Sequence, residues 1–176
     1  MIPALEANGW LPRGRFCAGL DEVEERFVLS GEFGDSARRP EVWEDFKSLL
    51  ALIADLKAKV PAVFLGGSFV TDAMEPSDVD AAIIVDTSRI RRPETLQRVA
   101  NTIAGAKRAG LAVDGFMIPW HPDGTQYGQE PAYVELRGVW DDFWQRYVPK
   151  PDRNPPQRHH AMPLRGYLEV TVDGYR

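Results

Sequence analysis

The chain holds a single cysteine, Cys17, so no internal disulfide can form and no covalent crosslink stabilises the fold. No apolar stretch approaches the roughly 20 residues of a membrane-crossing helix. The opening Met1-Ile2-Pro3-Ala4-Leu5-Glu6 lacks the basic and apolar regions of a signal peptide, so a cytoplasmic location with no membrane partner is the expectation. Basic charge is also short, 21 Lys and Arg against 26 Asp and Glu for a net charge of -5. That balance argues against a broad, sequence-independent grip on nucleic acid, and an RNA substrate would need a local patch. His159 and His160 adjoin without a companion Cys or His at a ligand spacing, which favours a solvated loop over a transition-metal site. Two phosphate motifs are missing as well. Gly66-Gly67-Ser68-Phe69-Val70-Thr71 has no P-loop lysine, and no Rossmann glycine fingerprint occurs.

What is present centres on Val63-Phe64-Leu65-Gly66-Gly67-Ser68 and, further on, Asp78-Val79-Asp80 followed by Ala81-Ala82-Ile83-Ile84-Val85. The first run reads as a strand that stops at a glycine pair, where backbone without Cβ atoms admits a ligand closely. Ser68 is placed to cap a following helix, whose N-terminus would attract phosphate. Asp78 and Asp80 open a second strand, and period-two geometry points both carboxylates to one face. Two acids on one face suit a divalent cation. A plainer reading makes the pair a turn and strand cap after Pro76. A calcium loop starting at Asp78 is excluded, because Ala82, Ile83 and Ile84 stand where oxygen ligands and a central glycine belong. A phosphatase with an aspartyl nucleophile would carry its acids at the end of a strand, whereas here the apolar run follows them. Asp114 is the one charged residue inside Leu111-Ala112-Val113-Asp114-Gly115-Phe116-Met117-Ile118, and is either a third ligand or a solvated strand-end residue.

Gly67, Ser68, Asp78 and Asp80 together resemble the signature of the nucleotidyltransferase superfamily, a Gly-Ser turn after a strand and an Asp-x-Asp pair opening the next. Trp10-Leu11-Pro12-Arg13-Gly14 and the later Asp21-Glu22-Val23-Glu24-Glu25-Arg26-Phe27 resemble the start of a group of bacterial nucleotidyltransferase-like proteins without a settled substrate. The sequence departs from many small members of the superfamily in continuing Phe69-Val70-Thr71-Asp72 where they place an Arg-Gly. The resemblance implies an α/β (α+β) domain, a mixed sheet packed against helices. It also implies a nucleoside triphosphate, ATP among the candidates, held at Gly66, Gly67 and Ser68. Asp78, Asp80 and Asp114 would hold one Mg²⁺, and the acid pair with the triphosphate a second, Mn²⁺ serving as a substitute. The activity implied is transfer of a nucleoside monophosphate to a hydroxyl acceptor on a protein, a tRNA or a small molecule, in a toxin-antitoxin or defence setting by analogy. The alternative is a catalytically silent module of the same fold that binds a nucleotide or a partner protein.

The rest of the chain is expected to complete a single domain over residues 1–176. Residues 1–60 read as a helical segment, with a helix from Pro40 carrying Trp43, Phe46, Leu50, Ile53 and Leu56 as far as Val60-Pro61. A second helix is expected from Thr87 or Ser88, with Leu96, Val99 and Ile103 on its apolar face and Gly110 as its stop. Residues 119–133 read as a loop near the site. Trp140, Phe143, Trp144 and Tyr147 recur at helical spacing, and their stripe is either core or a nucleobase platform. Residues 149–176 read as a proline-rich basic loop and a last strand, Gly166-Tyr167-Leu168-Glu169-Val170-Thr171-Val172, at the sheet edge. Within that loop Arg158 is the candidate phosphate-binding guanidinium.

Overall fold

Alternation along the strands decides the layers. A computed structural model describes residues 1–146 and 158–175. Its strands are β1 (Gly14–Gly19), β2 (Ala62–Gly66), β3 (Val79–Asp86), β4 (Val113–Trp120) and β5 (Gly166–Thr171). Its α-helices are α1 (Leu20–Glu24), which runs into a π-helical turn Glu25–Leu29, α2 (Arg38–Asp55), α3 (Pro93–Gly105) and α4 (Pro131–Gln145). The strands form one sheet in the order β1-β5-β2-β3-β4. The outer pairs, β1 with β5 and β3 with β4, are parallel, and β2 is antiparallel to both its neighbours. The chain is therefore α/β (α+β) with a mixed sheet, as its sequence predicts.

One face of the sheet presents Val63, Leu65, Ala81, Ile83, Val113, Leu168 and Val170, and these pack on Val23 of α1, on Val42, Trp43, Phe46, Leu49 and Ile53 of α2, and on Val99 and Ile103 of α3. The intervening residues Ala62, Phe64, Ala82, Ile84, Ile118 and Tyr167 face the other way and meet Trp144 of α4. Helices thus cover both faces, with the larger apolar core under α1, α2 and α3. No described helix is long and apolar enough to cross a membrane.

Several boundaries differ from expectation for identifiable reasons. Helix α2 starts two residues before Pro40 and ends at Asp55, because Lys57 takes a left-handed φ of 60° and breaks the backbone ladder ahead of Val60. The 1–60 segment is not wholly helical, since it also supplies β1 at one sheet edge. Strand β5 is not at an edge but lies between β1 and β2. Thr87–Arg89 forms only a single 3-10 turn before α3, which ends at Gly105, and the expected stop Gly110 (φ 92°) instead closes the 3-10 turn Lys107–Ala109 that follows it. Helix α4 begins at Pro131, inside the stretch read as loop. Tyr147 lies outside the described residues.

Candidate active site

Strand register assembles the site. Gly66 of β2 is opposite Asp80 of β3, and Asp80 is opposite Asp114 of β4, so the three lie in one row across the sheet. Asp78 precedes β3 by one residue and shares the parity of Asp80, which puts the acids on the α4 face. Two contacts fix the strands that carry them. Asp45 of α2 accepts a hydrogen bond from Ala112 N at 2.9 Å, and Val79 N donates to Ala112 O at 2.9 Å.

The glycine pair is shaped by what crowds it. A Cβ on Gly67 would fall 1.6 Å from Asp80 Oδ2, and the φ of 68° with ψ of -160° is backbone that favours glycine. A Cβ on Gly66 would fall 2.3 Å from Trp144 Cε3, so the indole lies directly on this backbone. The pair therefore lets Trp144 approach at Gly66 and Asp80 at Gly67, each against bare main chain.

Ser68 departs from expectation. It is the first residue of a three-residue 3-10 turn, Ser68–Val70, whose N-cap is Gly67, so no side chain caps the turn. Thr71 closes the turn, its N and Oγ1 donating to Ser68 O at 3.2 and 2.7 Å. Phe69 O, Thr71 O and Ala73 O accept from the buried guanidinium of Arg39, which commits to a side chain the carbonyls that a longer helix would use. No helix N-terminus stands at Ser68, so phosphate attraction from a helix dipole is withdrawn from the site.

The acids interact with one another. Burial, then the neighbouring charges of Asp78 and Asp114, push the half-buried Asp80 carboxyl up from 3.8 to about 6, against the opposing pull of Arg165 and Lys107. Asp78 is buried; its Oδ1 accepts from Ser77 Oγ at 2.9 Å and its Oδ2 from Lys107 Nζ at 2.5 Å. Asp114 thus belongs with the pair, in the register and within the same field. Among the described residues, no group of three His, Cys, Asp or Glu side chains is placed to hold a metal unaided.

Arg158, by contrast, sits in a 3-10 turn, Arg158–Ala161, and is exposed; no ion pair joins it to the acids among the described residues. The cations facing Asp80 are Lys107, in the turn that follows α3, and Arg165, just ahead of β5 and held to Trp144 O through its Nε at 3.2 Å. The sequence offered neither as a site residue, although Arg165 directly precedes β5 and Lys107 lies on the link between α3 and β4. The α4 stripe is split. Trp144 is buried, Trp140 packs on Phe116 in a tilted contact at 4.7 Å between centroids, and Phe143 remains 46% exposed.

The family of unknown function DUF6932 matches residues 3–171. The chain belongs to this family. No curated protein and no solved structure matches it. The DUF6932 match runs from before β1 to the end of β5, so the acid row and both cations lie within it.

Proposed function

We propose that this DUF6932 protein is a Mg²⁺-dependent nucleotidyltransferase that uses a nucleoside triphosphate and an acceptor hydroxyl. The observation that carries the reading is the row Gly66, Asp80, Asp114 with Asp78 on the same face, set against a glycine whose missing Cβ admits Asp80. The donor set fits the metal. Carboxylate oxygens are hard ligands, and Mg²⁺ is ordinarily held by one or two carboxylates together with substrate phosphates rather than by a complete protein cage. An Asp80 carboxyl pushed up by burial and by its like-charged neighbours is also a group that a dication would relieve.

Asp78, Asp80 and Asp114 would hold the Mg²⁺. When bound, it supplies charge neutralisation at the phosphates and activation of the acceptor hydroxyl. The chain's own residues do the rest by position. Gly66 and Gly67 offer close backbone approach beside the acids, Lys107 and Arg165 supply the cations that a polyphosphate tail requires, and the acid row fixes where the reacting phosphorus lies. The acceptor is a hydroxyl on a protein, a tRNA or a small molecule.

A second reading is a silent module that binds a nucleotide or a partner protein. Two observations favour it: Lys107 already occupies Asp78, and the turn at Ser68 is too short to act as a helix N-terminus. Calorimetry with each nucleoside triphosphate, with and without Mg²⁺, on the wild type and on Asp78→Ala separates the two. Metal-dependent binding lost in the variant supports transfer chemistry. Metal-independent binding, or no binding in a folded protein, moves the assignment to the silent module.

A further inference from the structure

Lys107 makes a direct ionic contact with Asp78, a predicted metal ligand. Its ammonium lies 2.5 Å from Asp78 Oδ2, where a divalent ion would have to come, and its charge also reaches Asp114 and Asp80. Two positive charges cannot share one carboxylate oxygen at contact distance without strong repulsion. The mechanical settings of the two cations at the site also differ. Arg165 is anchored by its bond to Trp144 O, whereas the Lys107 side chain is 59% exposed on a flexible four-carbon stem. Asp78 is less free to move, because its side chain is only 13% exposed and its other oxygen is held by Ser77 Oγ. Ser77 is itself tethered, its carbonyl accepting from Arg38 Nη2 at 2.9 Å. Any exchange at this ion pair therefore moves the lysine and leaves the acid in place.

We infer that Lys107 is a tethered counter-ion that competes with the divalent cation for Asp78 and passes to the triphosphate tail when metal and nucleotide arrive together. The inference rests on the nucleotidyltransferase reading and adds to it a regulation of the site. Metal alone is resisted by the lysine. Metal with triphosphate is accepted, because the displaced ammonium gains phosphate oxygens in exchange for the carboxylate. The same lysine thus disfavours idle loading of the acid row and favours loading with substrate. In the metal-free protein it also screens the repulsion among the acids.

The test is titration of the full chain with Mn²⁺ alone, followed by calorimetry and by the paramagnetic signal of free Mn²⁺, on the wild type, Lys107→Met and Asp80→Asn. Methionine keeps the stem and removes the charge at an exposed position, and the melting curve confirms that the variant is folded. Lys107→Met should bind Mn²⁺ about three- to tenfold more tightly, the scale of one partly exposed ion pair, and bind Mg²⁺ with tripolyphosphate more weakly than wild type. Asp80→Asn should bind Mn²⁺ weakly or not at all. Unchanged Mn²⁺ affinity in Lys107→Met, with the wild type binding metal in an Asp80-dependent way, overturns the counter-ion role and leaves the transferase reading standing. Failure of both the wild type and Lys107→Met to bind Mn²⁺ overturns the metal site and this inference together.

Discussion

Arg39 and Asp80 are both ionisable side chains withdrawn from water, on opposite faces of one sheet, and the chain treats them in opposite ways. Arg39, on the large core under α1 to α3, is fully enclosed. Its guanidinium donates to the carbonyls of Phe27, Phe69, Thr71 and Ala73 at 2.6–3.1 Å and lies 3.7 Å over the Phe33 ring. Burial pushes it down to about 10, which still leaves it charged at neutral pH. Asp80, on the α4 face, is held near two further carboxylates and pushed up to about 6. Burying a charge is costly unless its hydrogen bonds are met. Arg39 meets that condition and serves the fold, whereas Asp80 does not meet it and is the group to expect at a site where a ligand completes the chemistry.

The largest effect should come from Arg39→Met. The stem is kept, but the carbonyls of Phe27, Phe69, Thr71 and Ala73 lose their shared donor in a buried place. We expect a loss of about 3–5 kcal/mol, enough to threaten folding of a domain this size. Urea denaturation checks it. A loss under about 1 kcal/mol would mean that water reaches those carbonyls, and Arg39 would then no longer count as the satisfied member of the comparison.

Gly67→Ala sharpens the other side. The new methyl would need the space of Asp80 Oδ2 and a φ of 68°. The expected cost is about 1–3 kcal/mol of stability, with at least a tenfold loss of metal-dependent triphosphate affinity as Asp80 is pushed off its row. Melting and calorimetry on the same sample test both parts. Wild-type nucleotide affinity in a destabilised variant would detach the glycine pair from the site.

The contrast also explains which parts of the site were legible in the sequence. Gly66, Gly67, Asp78 and Asp80 could be read because their chemistry acts over a few residues: a missing Cβ, and a period of two that sends alternate carboxylates the same way. Asp114 could only be offered as a candidate, because its place beside Asp80 depends on β3 and β4 pairing in parallel across α3. Lys107 and Arg165 were illegible for the same reason, as the contact from Lys107 to Asp78 spans 29 residues. Arg158 was chosen instead because it stands in a basic, proline-rich stretch, a compositional cue that carries no position. The helix expected at Ser68 failed on Arg39, which takes the loop carbonyls from another element. Strand β1 was missed because Gly14-Arg15-Phe16-Cys17-Ala18-Gly19 has glycine at both ends and no β-branched residue; pairing with β5 makes it a strand.

The smallest of the stability effects, and the one opposite in sign, belongs to Asp80→Asn. Asp80 has a folded value of about 6 against 3.8 ordinarily, so the folded protein holds this proton more tightly than the unfolded chain does. Below about pH 4 the group is neutral in both states and contributes no penalty. As pH rises toward about 6 the unfolded chain releases its proton first, and stability falls; above about 6 the carboxylate is charged in the fold and the full penalty persists. Asparagine removes the charge while keeping the shape, so the metal-free variant should match wild type near pH 4 and exceed it by about 1–2 kcal/mol at pH 7, the shift discounted for partial exposure. Saturating Mg²⁺ and triphosphate should reverse the order, since only the wild type gains from binding. Thermal melts at both pH values, with and without the ligands, read all of this. A variant less stable than wild type at pH 7 without ligand would show that Asp80, like Arg39, is satisfied by the fold, and the distinction between the two faces would fail.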